Sequence, residues 1–384
     1  MPKFKRVAVK LDLEWPYKRH TGIFAGTQQF AREHDWHYTV DEYVEDTIVL
    51  DKKNIPYDGI IARATSKLAL RAARLKIPLV NVLINSPAWK RLPCVFADCL
   101  TSGRLRAEHL LSRGLRQFAA LTLENDRSEA EELKTFSATV AEAGCQCKAL
   151  TIKLKPAAKE WQRLNRKIDA WMDSWELPIG VYIGTESNGR TIAQACRTRG
   201  WRVPEDVAII AGRNEIAFCE GLRPTLTSIE FGFERIGYEA AALLDRLMNG
   251  GTPPKQPILI PPQGLVVRES TDFYAVADPL IAAALKFIAA NCHRDIGQHD
   301  VARAVATEVR TLQRRFQKFL NCPIVSEIRR VRIERAKREL AQGTRSIAEI
   351  ARDVGFGESM RMYEVFRREV GITPSQYRAE RQAH

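Results

Sequence analysis

Long apolar runs are missing from this sequence. A membrane-spanning helix needs about 18 or more consecutive apolar residues, and no stretch approaches that. The first apolar segment, RVAVKLDL, alternates and is broken by Lys10 and Asp12, unlike the continuous apolar stretch of a secretory leader. No membrane partner is expected, and the chain is expected to work in the cytoplasm. The eight cysteines are scattered; the one close pair, Cys145 and Cys147, has no second pair or histidine group in register. Buried free thiols are expected, with no metal and no cofactor. Also absent are a P-loop, a G-x-S-x-G elbow, a G-x-G-x-x-G after a strand, internal repeats and low-complexity segments. His34 and His37 have no carboxylate or cysteine partner at a useful spacing and read as surface residues. No catalytic residue is expected, and the chain is not expected to be an enzyme.

Positive charge is plentiful and unevenly placed. The net charge is +13 and the pI near 9.4. From Pro279 to His384 there are 20 Lys and Arg against 12 Asp and Glu, whereas the preceding 278 residues carry 39 against 34. Basic density concentrated in the last quarter suits a module that approaches phosphates.

Up to about residue 270 short β-rich runs alternate with amphipathic helices. RVAVKLDL, YTVDEYV, DGIIARA, IPLVNVLI, CVFAD, QFAALTL, CKALTI, IGVYIG and VAIIAG read as strands. GIFAGTQQFAREH, SGRLRAEHLLSRG, Glu129 to Ala143, EWQRLNRKIDAWMDSW, NGRTIAQACRTRG and GYEAAALLDRLMNGG read as helices. Such alternation predicts an α/β fold of parallel sheets covered by helices, long enough for two subdomains with a cleft between them. Ligands of such folds sit beyond the carboxyl ends of the strands. Tyr17 and Arg19 in the loop after the first strand, Asp98, and Glu186 beside Thr185 are the candidate cleft residues there.

After a linker over 271–279 the remainder, 280–384, reads as helical. The stretch SIAEIARDVGFGESMRMYEVFRREVGITP is a helix, a turn at Gly355 and a second helix, with Ile347, Ile350, Ala351 and Val354 packing on Met362, Val365 and Phe366. This helix-turn-helix spans about 346–369. Another spans about 298–319, where Val309, Leu312, Phe316 and Phe319 define a buried face. Between them SEIRRVRIERAKRELAQGTR forms one long helix with Ile328, Val331, Ala336 and Leu340 turned inward. It would set two recognition helices into major-groove segments ~34 Å apart on double-stranded DNA. The outward faces nominate Arg310, Gln313 and Arg314 in the first unit and Ser359, Arg361, Tyr363 and Glu364 in the second. Arg368 and Arg378 are expected to meet phosphates or structural partners.

Several spaced matches carry a family resemblance. Leu312-x-Arg314-x-Phe316, Arg332-Ile333 with Ala336 and Leu340, Ile350-Ala351 with Gly355-Phe356, Phe366-x-Arg368 and Gly371-x-Thr373-Pro374 with Tyr377-Arg378 together resemble the AraC-type DNA-binding domain. Residues 1–270, by the order of VFADCLTSGRLRAEHLLSRG, PEDVAIIAG, PTLTSIEF and ILIPPQGLVVREST, resemble the effector domains of the LacI family, themselves like periplasmic sugar-binding proteins. No LacI-type headpiece is expected, since the first strand is expected to begin almost at Met1. An effector domain followed by an AraC-type domain resembles the bacterial xylose operon regulators. The resemblance implies a homodimeric, sugar-responsive transcription activator that binds an operator and meets RNA polymerase.

The sequence departs from that pattern in three places. Ala306-Thr307-Glu308 stands where the first helix-turn-helix usually turns on glycine. Met362 replaces an aromatic core residue and Glu364 a base-reading cation; Glu can accept from cytosine N4. The resemblance implies an Asp bonding sugar hydroxyls in the stretch Ala211-Gly212-Arg213-Asn214-Glu215, and here Arg213 stands in its place. A guanidinium offers five donors and no acceptor. Either the ligand is anionic, or an internal salt bridge closes the cleft. Two further readings remain open: a regulator with no small-molecule effector, controlled by a protein partner or constitutive, and a nucleic-acid binder working by charge alone.

Overall fold

A computed structural model of the chain describes residues 4–14, 17–50, 55–153, 158–273, 278–320, 322–342 and 345–382. The chain divides into two compact units, Met1–His109 with Gln117–Ser270, and Leu110–Arg116 with Thr271–His384. The expected linker is described only at its two ends, since 274–277 lie outside the described residues.

The first unit begins β1 (Arg6–Lys10), α1 (Lys18–Glu33), β2 (His37–Val40), α2 (Val44–Leu50), β3 (Gly59–Ala62), α3 (Ser66–Leu75), β4 (Leu79–Asn81) and β5 (Val95–Ala97). Helix α4 (Cys99–Ser112) leads to β6 (Gln117–Leu123), α5 (Arg127–Glu142), β7 (Cys147–Ile152), α6 (Ala158–Asp173), β8 (Ile179–Ile183), α7 (Glu186–Thr198), β9 (Val207–Ala211), α8 (Ile216–Glu220) and β10 (Ser228–Glu230). The chain then returns through α9 (Phe233–Met248), β11 (Ile258–Ile260) and β12 (Gly264–Val266).

Two parallel four-stranded sheets result, in the orders β2-β1-β3-β4 and β7-β6-β8-β9. A parallel bridge from Asn81 to Cys94 carries the first sheet on to β5, which pairs β11. A bridge from Ile210 to Thr227 carries the second on to β10, which pairs β12 antiparallel. Strands covered by helices on both faces are apolar throughout: β3, β8 and β9 are buried at every residue. Helices α1 and α9 cross at backbone contact, because a Cβ at Gly26 would lie 1.8 Å from the Glu234 carbonyl and one at Gly237 would lie 1.9 Å from that of Ile23.

Several expectations shift. Helix α1 starts at Lys18, ahead of Gly22, so Arg19 belongs to a helix and Tyr17 precedes it as the N-cap. The segment EYV ends no strand: Glu42 and Tyr43 form a turn and Val44 opens α2. Helix α3 was not foreseen; Thr65 caps it by accepting from the Leu68 amide.

The second unit contains α10 (Pro279–Asn291), α11 (Gln298–Ala304), α12 (Val309–Leu320), α13 (Ile324–Gln342), α14 (Ile347–Asp353), α15 (Ser359–Val370) and α16 (Pro374–Gln382). It has two small cores. Ile281, Ile288, Val301, Leu312, Phe316, Ile324 and Ile328 form one; Ile333, Leu340, Ile350, Val354, Met362 and Phe366 form the other. Helix α13 gives its first half to one core and its second half to the other. Phe319, expected inside, is 41% exposed, because Leu320, four residues after Phe316, takes the inward position.

Candidate functional site

In the first unit a small cavity of about 30 Å³, partly open to solvent, lies between the two sheets' subdomains. Apolar side chains, among them Ile23, Leu83, Phe96, Phe231 and Phe233, make most of its wall, and Arg19, Ser128 and Arg213 bring the polar atoms. Contacts off the cavity wall also join the two subdomains. The Lys18 amide donates to Glu215 Oε1 at 2.8 Å, and the Arg127 amide donates to Asn85 Oδ1 at 2.8 Å. The Arg127 guanidinium lies 5.4 Å over the Trp89 ring.

Arg213 is held from within the protein. Its guanidinium donates to Ser128 Oγ at 2.8 Å and lies 3.6 Å from Glu132 Oε1 and 3.9 Å from Glu129 Oε1. Glu132, fully buried, also accepts from the Tyr182 hydroxyl at 2.6 Å and lies 3.4 Å from the fully buried Arg106. Arg106 donates onward to the Gly212 carbonyl at 2.7 Å. Burial would lower the Arg213 pKa, but Glu132, Asp126 and Glu129 reverse this and raise it. Asp126 is held down to about 2 against its burial by Arg213, Ser128 and Arg19. Burial pushes Glu129 up to about 7 despite Arg213.

Arg19 differs. Among the described residues it has neither a hydrogen bond nor an ion pair. Burial and the neighbouring Arg213 push its pKa down to about 10. His20 beside it is driven down to about 4 by burial and by Arg19, and its Nδ1 accepts from the Asp12 amide, which requires the neutral ring.

The other candidate cleft residues lie off the cavity wall. Asp98 is spent at the start of α4, accepting from the Thr101 amide and hydroxyl. Glu186 accepts from the backbone amides of Arg213 and Glu215 and so shapes their loop. Asn214, fully buried with φ of 62°, donates to Glu230 and accepts from Arg268 at 2.7 Å. The Tyr17 ring packs 6.1 Å from that of Phe218. Sequence reasoning missed Ser128, Glu129 and Glu132. The signal was there: Glu129 and Glu132 share the face of α5 that buries Phe136 and Val140, an unusual place for two carboxylates.

In the second unit Arg310, Gln313 and Arg314 are exposed on α12, and Gln313 donates to Gln298 at 2.8 Å. Ala306 turns between α11 and α12 with φ of 50°, the conformation glycine would supply. On α15 Ser359, Arg361 and Glu364 are exposed; Tyr363 is half-buried, its hydroxyl 3.1 Å from Ser375 Oγ. A capping box of Ser346 and Glu349 opens α14. Arg332 of α13 donates to the carbonyls of Cys292 and Arg294 at 2.8 and 2.7 Å, and Gly355 abuts the same Cys292 carbonyl. The two helix-turn-helix cores are thereby tied at one point. Arg368 pairs with Glu369, and Arg378 donates to the Arg345 carbonyl.

Comparison with known proteins agrees with this architecture. Residues 107–271 match a periplasmic binding protein-like domain and residues 301–380 a helix-turn-helix domain. The xylose operon regulatory protein of Haemophilus influenzae is 28% identical over 387 residues, covering 98% of each chain. That of Escherichia coli K12 is 27% identical, covering 98% of this chain and 97% of the other. A putative AraC-like transcription regulator of Streptomyces antibioticus is 34% identical over 107 residues, 27% of this chain and 34% of that protein. The structure of a xylose-binding transcription activator, xylR, superposes with a TM-score of 0.63 at 24% identity and 98% coverage of both chains, a likeness of fold. The chain therefore carries a periplasmic binding protein-like domain ahead of a helix-turn-helix domain of the AraC type, and over its full length it is similar to transcription regulators, not to enzymes.

Proposed function

We propose that the protein activates genes of sugar catabolism by binding an operator through both helix-turn-helix units, under control of a sugar or sugar-derived effector in the cleft of its first unit. The observation that carries this is the sharing of α13 between two cores, each with an outward helix rich in hydrogen-bonding side chains. A rigid strut of that kind spaces two readers along one DNA face. Arg310, Gln313 and Arg314, with Ser359, Arg361, Tyr363 and Glu364, make the base and phosphate contacts. The xylose operon regulatory proteins it resembles are named for a sugar operon, which favours a sugar-related signal. The protein acts as a homodimer in the cytoplasm, on the nucleoid. Effector binding shifts the cleft between open and closed states, Lys18–Glu215 and Asn85–Arg127 being the contacts that break on opening. The dimer then recruits RNA polymerase.

The test is a promoter reporter and a gel shift on DNA upstream of the genes adjacent to its own, with and without sugars and sugar acids. Effector-dependent transcription together with sequence-selective binding at physiological salt is expected. Binding that ignores sequence and collapses with salt would replace this reading with charge-driven association.

A further inference from the structure

We propose that the cleft ligand is a compact monocarboxylate of the sugar-acid class, whose acid group pairs with Arg19, and not a neutral sugar; this rests on the effector-cleft reading above.

The two arginines on the cavity wall are chemically unequal. Arg213 is surrounded by Ser128, Glu129 and Glu132, so it has little left to offer an incoming anion. Arg19 faces the same space with no hydrogen bond or ion pair among the described residues, and carboxylates act on it only from beyond ion-pair distance. A half-buried guanidinium with no ion pair, on a mostly apolar wall, is a ready bidentate partner for an incoming carboxylate. The depressed Arg19 pKa, caused by burial and by Arg213, is consistent with this position.

The remaining wall explains why a neutral polyol fits poorly. Each sugar hydroxyl brings a donor that wants an acceptor. No carboxylate lines the cavity among the described residues, and the Ser128 hydroxyl is already taken up by Asp126 and Arg213. The site therefore offers donors and apolar surface but almost no acceptor. A carboxylate accepts from a guanidinium in bidentate fashion. One unmatched positive charge matches one negative charge, which favours a monocarboxylate over a phosphate dianion.

The experiment is calorimetric titration of the full chain with matched probes: D-xylose against D-xylonate and D-glucose against D-gluconate, with sodium sulfate as the ionic control. The variants are Arg19→Gln and Arg19→Lys. At least one acid should bind where its neutral partner does not; Arg19→Gln should weaken it by about tenfold or more, and Arg19→Lys should restore part of the loss. The melting temperature without ligand gives a second readout. Arg19→Gln should match or exceed the parent, since it removes an unpaired charge. A lower value, or acid binding unchanged in Arg19→Gln, overturns the proposal. Binding of the neutral sugars with rejection of the acids overturns it while leaving the cleft reading intact. Binding of neither class removes both.

Discussion

Replacing Glu132 tests whether the buried charges of the cleft act as one network. Its carboxylate receives the Tyr182 hydroxyl at 2.6 Å and lies 3.4 Å from Arg106 and 3.6 Å from Arg213. In Glu132→Ala the Tyr182 hydroxyl loses its acceptor, a penalty of ~1–3 kcal/mol for an unsatisfied buried group. Arg106, fully buried, keeps only the Gly212 carbonyl and Ser102 hydroxyl, neither of which carries charge. Removing one partner of a buried ion pair costs ~3–5 kcal/mol. The terms overlap, so a total near 4 kcal/mol is expected. Glu132→Gln keeps an acceptor for Tyr182 but no charge, and should recover ~1 kcal/mol of that loss. The assay is urea unfolding followed by fluorescence of Trp171, Trp175 and Trp201, which pack together in the same subdomain. A loss below ~1 kcal/mol in Glu132→Ala would refute the claim that Arg106 and Arg213 depend on this carboxylate.

Three other outcomes are expected. Glu129, raised from 4.5 to about 7, binds more protons folded than unfolded between those values, so it makes stability fall as pH rises through that window, while His20, lowered from 6.5 to about 4, does the opposite. The parent should therefore be nearly flat, and Glu129→Gln should gain on the order of 3 kcal/mol relative to it between pH 4.5 and 7 in urea titrations. Gly355→Ala places a Cβ 2.1 Å from the Cys292 carbonyl at φ of 92°, whereas Gly357→Ala at φ of 76° meets nothing within 4 Å. Melting curves should show ~1 kcal/mol lost in the latter and clearly more in the former. Arg314→Ala should weaken operator binding by ~1–3 kcal/mol in gel shifts if it reads a guanine, and unchanged affinity would remove it from the contact set.

Much of the fold was legible because burial on both faces leaves a plain trace: β8 and β9 are buried at every residue and carry no charged side chain. Helix α3 was overlooked although its pattern was legible: Leu68, Ala69 and Ala72 share a buried face while Lys67 and Arg74 are exposed. The start of α1 was hidden by the polar run Lys18–Thr21 and by Gly22, a glycine retained where α9 approaches: a Cβ there would sit 2.8 Å from that of Phe233. Arg213 could be singled out by its departure from a sugar-binding pattern, but the choice between a free and a paired guanidinium could not be made. Its partners come from α5, some eighty residues earlier, and no local pattern encodes that distance in sequence.

The cleft contains two ways of treating a cation, and the contrast is informative about function. Arg213 and Arg106 each lie within 4 Å of a buried carboxylate, although Arg106 Nη1 and one oxygen each of Glu129 and Glu132 have no hydrogen-bond partner. Arg19, the half-buried second residue of the first helix, has no ion pair among the described residues on the wall of the same cavity. Stability alone would favour a neutral side chain there. Departures from full polar satisfaction concentrate where a protein binds something, because the missing partner arrives with the ligand. On this argument Arg213, which the sequence made conspicuous, serves to organise the cleft, and Arg19 addresses the effector.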